Sequence, residues 1–105
     1  MSQVMLTQAD NGKSIPVTAG TTLVVQLEEN PTTGFRWEVE RDDADIVALR
    51  TSDYKQPASS QVGATGLRVM TFEAKQPGNT EVVLVSRRGW QAIEAQRYSV
   101  NVTVQ

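Results

Sequence analysis

Short runs of alternating apolar and polar residues, separated by turn residues, make up most of the chain. The C-terminal run RYSVNVTV is the most regular, and its apolar positions recur at every second residue: Tyr98, Val100, Val102 and Val104. A period of two residues is typical of a β-strand with one buried face. The run therefore predicts a strand whose apolar side chains point into a core.

The same period recurs in three earlier segments. TTLVVQLEE, FRWEVE and LRVMTFEA each carry apolar residues on one face, namely Leu23, Val25 and Leu27, then Phe35, Trp37 and Val39, then Met70 and Phe72. EVVLVSR reads as a buried strand because it is rich in β-branched residues. The segment IVALRTSDY is compatible with a strand or a short helix, and we favour a strand.

An Asn-Gly pair near the N-terminus predicts a hairpin. Val4 and Leu6 alternate with polar residues before it, and Ile15 and Val17 follow it. Both central residues of a type I′ turn need positive φ, and asparagine and glycine adopt it readily. We therefore expect the two short strands on either side of Asn11-Gly12 to pair with each other.

Turn and loop segments separate these strands. They are the charged turn DDAD, the segment KQPASSQVGATG at 55–66, the Pro-Gly turn KQPGNT and the segment RGWQAIEAQ at 88–96. Seven or eight short strands in about 100 residues indicate an all-β fold, an Ig-like antiparallel β-sandwich with Greek-key connections. We expect a single domain over residues 1–105.

Composition excludes several kinds of chemistry. The chain has 105 residues with no cysteine and no histidine, and its formal net charge is −2. It therefore lacks disulfides, thiolate metal ligands and the usual general base at neutral pH. This net charge favours binding neither to nucleic acid nor to an anionic membrane. We expect no enzymatic activity and no cofactor, and we interpret Asp42, Asp43 and Asp45 as a solvated turn rather than a calcium site.

The N-terminus has no basic start followed by an apolar run, so it does not resemble a signal peptide. As written, the chain would stay in the cytoplasm. A chain from which a signal peptide had been removed would instead be periplasmic or secreted.

The loop NPTTGF is the first candidate for binding. Pro31 fixes its own φ, and Gly34 can adopt a positive φ without steric strain. A preordered loop loses less entropy when it docks into a partner. The alternative is an ordinary proline turn.

Two further loops are binding candidates. In VGATGLR, Gly63 and Gly66 leave the backbone open to a partner's extended strand, although a flexible connector would have the same composition. In RRGWQ, Trp90 follows Gly89 in a polar segment, which is typical of an interface anchor. Trp90 could instead fold back over the edge of the core.

Taken in order, these loops resemble the recognition motifs of chagasin-type inhibitors of papain-like cysteine peptidases, which are N-P-T-T-G-[YF], G-x-G-G and R-P-[WF]. NPTTGF at 30–35 matches the first motif in full. GATG at 63–66 matches the second except at Thr65, and RGW at 88–90 matches the third except at Gly89. The order and spacing of the strands fit this family along nearly the whole chain.

The resemblance implies a reversible, non-covalent inhibitor that blocks the active-site cleft with three loops at one end of the sandwich. The loop at 31–34 would lie over the catalytic cysteine, and 63–66 would pair its backbone with the non-primed side. Arg88 and Trp90 would cover the primed side. The implied peptidase-binding residues are Asn30, Pro31, Thr32, Thr33, Gly34, Phe35, Gly63, Ala64, Thr65, Gly66, Arg88, Gly89 and Trp90.

Phe35 shares a strand face with Trp37, so we expect it to anchor the first loop to the core more than to touch the target. Thr65 restricts the second loop and Gly89 leaves the third less preordered, so both bear on potency and target range. The implied partner is papain or a cathepsin L-like peptidase, bound by a monomer. The competing interpretation is a non-inhibitory adhesion or protein-interaction module. A sugar-binding sandwich fits less well because no aromatic stacking platform is evident.

Overall fold

Eight strands make up most of the described part of the chain. The computed structural model describes residues 2–30, 34–56, 66–88 and 93–105. In the last of these ranges, side chains are described from Gln96 onward. The strands are β1 (Gln3–Leu6), β2 (Ser14–Val17), β3 (Thr22–Glu29), β4 (Phe35–Arg41), β5 (Val47–Lys55), β6 (Gly66–Ala74), β7 (Gly78–Arg88) and β8 (Ile93–Val104). A short 3-10 helix spans Gln8–Asp10. In the described ranges, no helix has the length and apolarity needed to cross a membrane.

The strands form two four-stranded sheets. Sheet A has the order β1-β3-β6-β5, and sheet B has the order β2-β8-β7-β4. The pairings are antiparallel except for two short edge strands, since β1 runs parallel to β3 and β2 runs parallel to β8. The chain crosses between the sheets after β1, β2, β3, β4 and β6. This architecture confirms the predicted all-β sandwich.

The core lies between the two sheets and consists of the faces that the sequence pattern predicts. Each of its principal side chains is at most 3% exposed: Leu23, Val25, Leu27, Trp37, Met70, Phe72, Leu84, Tyr98, Val100, Val102 and Val104. The segment that was compatible with strand or helix is a strand, β5, whose first residues are buried.

The predicted hairpin at Asn11-Gly12 is wrong, because β1 and β2 lie in different sheets. Thr7 and Asp10 form a capping box that starts the 3-10 helix. Asn11 has φ −55° and ψ 129°, and Gly12 has φ +84°. These angles fit a type II turn, which needs positive φ only at its second central residue. The turn carries the chain from sheet A to sheet B.

Both ends of the sandwich are defined by the strand registers. At one end Glu29 pairs with Gly66, Phe35 with Arg88, Lys55 with Leu67, and Arg88 with Ile93. We call this the motif end. The opposite end holds the turns at 18–21, 42–46 and 75–77, which are joined by hydrogen bonds from Gly20 N to Ala74 O (2.8 Å) and from Lys75 N to Ile46 O (2.7 Å).

Two predicted loops are shorter than the sequence suggested. Lys55 belongs to β5 and Gly66 to β6, although we predicted a loop over 55–66. Residues 93–96 belong to β8, although the predicted loop ran to Gln96. In both places polar or small residues obscure the alternation, while the neighbouring strand supplies the backbone partners.

Candidate functional site

The three segments that carry the motifs are attached to the same end of the sandwich. Residues 31–33 connect β3 to β4, 57–65 connect β5 to β6, and 89–92 connect β7 to β8. The registers bring all six strand ends together at the motif end. Several predicted site residues lie outside the described residues: Pro31, Thr32, Thr33, Gly63, Ala64, Thr65, Gly89 and Trp90.

Gly34, Phe35 and Arg88 connect the base of the first segment to the base of the third. Gly34 has φ +80°, as predicted for this position. A Cβ atom on Gly34 would lie 3.6 Å from Cγ of Arg88. The guanidinium carbon of Arg88 lies 4.8 Å from the centroid of the Phe35 ring. This distance is within the range of a cation–π contact. Arg88 is exposed, and the Phe35 ring supports its guanidinium.

Trp37 anchors the strand that follows the first segment. It is 3% exposed. Its backbone N–H donates to Oε1 of Glu29 (2.8 Å), and its indole Nε1–H donates to the carbonyl oxygen of Glu28 (2.8 Å). Phe35 is half-buried on the same face of β4. The expectation that these aromatic residues hold the first segment to the core agrees with this geometry.

Glu29 and Arg68 form an ion pair beneath the motif end. Nη2 of Arg68 lies 2.7 Å from Oε2 of Glu29, and Nε lies 3.2 Å from each carboxylate oxygen. The side chain of Glu29 is 4% exposed, and that of Arg68 is 11% exposed. Arg68 also donates to Oγ of Ser52 (3.4 Å), and its guanidinium carbon lies 6.0 Å from the centroid of the Tyr54 ring. Sequence reasoning missed this pair, since 39 positions separate the two residues.

The packing around Gly66 leaves no room for a side chain. Gly66 is buried at the start of β6. A Cβ atom there would overlap the hydroxyl of Tyr54 and the carbonyl oxygen of Lys55. Packing within the sandwich is therefore sufficient to explain a glycine at this position. The assignment of Gly66 to peptidase binding stays a prediction.

A cleft of about 240 Å³ opens beside these groups, lined by Glu29, Gly34, Phe35, Arg36, Tyr54 and Arg68. Its walls come from both sheets, so it lies between the bases of the first two segments. Within the described residues, no group of three or more acidic side chains could hold a metal ion.

The acidic turn at the opposite end has a local role. Oδ1 of Asp43 accepts the backbone N–H of Asp45 (3.1 Å), and the carbonyl oxygen of Asp43 accepts from Ile46 and Val47. Burial, followed by the neighbouring charge of Asp43, raises the pKa of Asp42. These contacts agree with the interpretation of this segment as a turn.

Comparison with known proteins identifies similar sequences along nearly the whole chain. The model of the family described as "Chagasin family peptidase inhibitor I42" matches residues 16–104. Chagasin of Trypanosoma cruzi is 30% identical over 101 residues, which cover 90% of this chain and 92% of that protein. Amoebiasin-1 of Entamoeba histolytica is 30% identical over 103 residues, which cover 95% and 98%.

The fold has a close structural counterpart. The crystal structure of the cysteine protease inhibitor EhICP2 from Entamoeba histolytica superposes with a TM-score of 0.87. The superposition covers 100% of this chain and 97% of that one, at 20% sequence identity. Identity this low carries the architecture alone, and the architecture is the same two-sheet sandwich.

Proposed function

Because the chain belongs to the chagasin family of cysteine peptidase inhibitors, we propose that it blocks the active-site cleft of papain-like enzymes with the three segments of its motif end. The inhibitor binds reversibly and forms no covalent bond with the enzyme. The whole chain, residues 1–105, acts as one inhibitor domain and as a monomer.

The convergence of the strand ends is the observation that carries this proposal. Glu29 pairs with Gly66, and Phe35 pairs with Arg88. Segments of the chain that are far apart in sequence therefore leave the sandwich side by side. A rigid scaffold that presents several short segments together is suited to fill a cleft, because little backbone freedom is lost on docking.

Each segment has a proposed task. The segment at 31–34 covers the catalytic cysteine and offers no bond in a position to be cleaved. The segment at 63–66 pairs its backbone with the non-primed side of the cleft, as a substrate strand would. Arg88 and Trp90 cover the primed side. The exposure of Arg88 and its support by Phe35 favour this role.

The same proposal assigns the chain no catalytic role of its own. A peptidase or hydrolase of this size would need a nucleophile with a base, or a metal cage. The sequence offers no thiol and no imidazole for these tasks. Inhibition by occupation of a cleft needs neither a cofactor nor a metal.

A tight-binding titration of papain and of cathepsin L with the purified protein tests the proposal. We expect residual activity to fall with added inhibitor and to return after dilution, because the complex is non-covalent. Circular dichroism on the same samples checks that the sandwich is folded. A folded protein that leaves both enzymes fully active at micromolar concentration would contradict the proposal and favour the non-inhibitory interaction module.

A further inference from the structure

The ion pair between Glu29 and Arg68 differs from the other ion pairs among the described residues. Its side chains are 4% and 11% exposed. In each of the others, at least one partner is more than 30% exposed: Lys13–Asp10, Arg41–Glu81, Arg50–Glu73, Arg87–Glu40 and Arg97–Glu40. In the part of the chain that the structure describes, this is therefore the one buried charge pair, and it lies directly beneath the motif end.

Stability does not account for this arrangement. Removing two charges from water is unfavourable, and a well-packed apolar pair of similar volume is often as stable or more stable. Geometry offers a better account, because Arg68 presents its guanidinium as a fork to both carboxylate oxygens. Paired donors and acceptors of this kind fix orientation as well as distance.

The pair also joins the strands from which two of the motif segments leave. Glu29 is the last residue of β3 and directly precedes Asn30. Its carboxylate holds the backbone N–H of Trp37 on β4, at the far side of the first segment. Arg68 lies two residues after Gly66, at the start of β6. One carboxylate thus connects both sides of the first segment to the base of the second.

We propose that Glu29 and Arg68 are positioning residues, which hold the strand ends that flank the first and second motif segments in the mutual arrangement that binding to the peptidase cleft requires. They act through the strand ends and touch no part of the enzyme themselves. For its inhibitory consequence the proposal rests on the function proposed above, whereas its structural part applies to the free protein.

The proposal has a kinetic signature. Without the pair, the strand ends sample more arrangements, and a smaller fraction of molecules is competent to bind at any moment. A smaller competent fraction weakens apparent affinity by that fraction. The loss then appears in the association rate constant, while the complex, once formed, dissociates as before. Removal of a direct contact would instead raise the dissociation rate constant.

The double variant Glu29→Gln/Arg68→Met tests this. Glutamine keeps an oxygen that can accept the N–H of Trp37, and methionine replaces most of the apolar length of the arginine. The matched control is Arg50→Gln/Glu73→Gln, which removes an exposed ion pair in the same sheet. Each variant removes one positive and one negative charge, so neither changes the net charge.

We expect the association rate constant for papain to fall about tenfold in the Glu29→Gln/Arg68→Met variant. Its dissociation rate constant should stay within twofold of the unmodified protein, and the control should match the unmodified protein in both. Unchanged association would overturn the proposal. So would a loss that appears only as faster dissociation.

Amide hydrogen exchange of the free protein tests the structural part without any peptidase. We expect faster exchange at the amides of Trp37 and Arg68 in the Glu29→Gln/Arg68→Met variant, and unchanged exchange at Val102 near the opposite end. Unaltered exchange at the motif end would refute the positioning role. If the unmodified protein failed to inhibit papain but this exchange pattern appeared, the proposed function would be wrong and the structural role would stand.

Discussion

The two halves of the interior differ in the polarity of their buried side chains. Near the opposite end, the buried side chains are hydrocarbon except for Thr21 in the turn before β3, and they include Val17, Leu23, Val47, Phe72, Ala74, Val102 and Val104. Near the motif end, the interior contains Glu29 and Ser86, the guanidinium of Arg68, and the indole N–H of Trp37 bonded to a carbonyl.

The difference separates two requirements that one small sandwich must meet. Apolar contacts stabilise the fold but have little directional preference. Hydrogen bonds and ion pairs contribute less net stability, but they fix distances and angles. The polar half lies beneath the segments that we propose as the binding surface, and the apolar half lies where the proposal requires only stability. The predictions below test that division, beginning with the largest expected effect.

Phe72→Ala tests the apolar half. Phe72 is 1% exposed and packs in the core away from the motif end. Loss of its ring should lower the free energy of unfolding by about 3–5 kcal/mol, because transfer and cavity terms add. Urea unfolding measures this. At a temperature where the variant is still folded, its inhibition constant for papain should equal that of the unmodified protein. A larger inhibition constant at that temperature would show that the apolar half also affects binding to the peptidase.

Glu29→Gln tests the polar half on its own. It leaves the buried charge of Arg68 without a carboxylate, so the free energy of unfolding should fall by about 3 kcal/mol. Addition of Arg68→Met should recover much of that loss, because the uncompensated charge is then gone. Urea unfolding of both variants measures the recovery. If the double variant is no more stable than Glu29→Gln, the uncompensated charge is not the cause.

Trp90→Ala separates the binding surface from the scaffold. If Trp90 is an interface anchor, inhibition of papain should weaken by about 1–3 kcal/mol with little change in melting temperature. A titration and a thermal melt on the same preparation measure both quantities. A large drop in melting temperature would instead assign Trp90 to the core.

Tyr98 should make a smaller contribution to the free energy of unfolding, and that contribution should depend on pH. Its hydroxyl donates to the carbonyl oxygen of Thr7 (2.9 Å), and burial, followed by the charge of Asp10, raises its pKa to about 12. An unfolded tyrosine ionises near pH 10. The folded state therefore holds this proton more tightly, so the contribution to stability is complete below pH 10 and declines as pH rises toward 12.

Tyr98→Phe removes that group. The variant should lose about 1 kcal/mol at pH 7 through the missing hydrogen bond. Urea unfolding between pH 7 and pH 11 should show the difference between the two proteins shrinking above pH 10. A difference that stays constant with pH would contradict the raised pKa.

Local patterns were sufficient to predict most of the fold. The alternation in β3, β6 and β8 placed Leu23, Met70 and Val100 on buried faces, because period two follows from strand geometry alone. The hairpin at Asn11-Gly12 failed because a turn motif does not determine which strands pair. That choice depends on long-range contacts: β1 joins β3, and β2 joins β8.

The candidate site was predictable only in part. The motifs identified the segments, and Gly34 has the positive φ expected of it. The polar groups beneath them gave no sequence pattern, because Glu29 and Arg68 look like ordinary polar strand residues until the sheet brings them together. The packing around Gly66 could not be predicted for a related reason, since the Tyr54 side chain that a Cβ atom there would overlap comes from the neighbouring strand.

Amide hydrogen exchange of this protein, free and in complex with papain, tests the central claim that the motif end binds the peptidase. We predict that protection on binding appears in peptides that contain residues 30–36, 62–68 and 86–91. The turns at 18–21, 42–46 and 75–77 should exchange at the same rate in both states. Protection concentrated at those turns, or on the outer face of either sheet, would contradict the account.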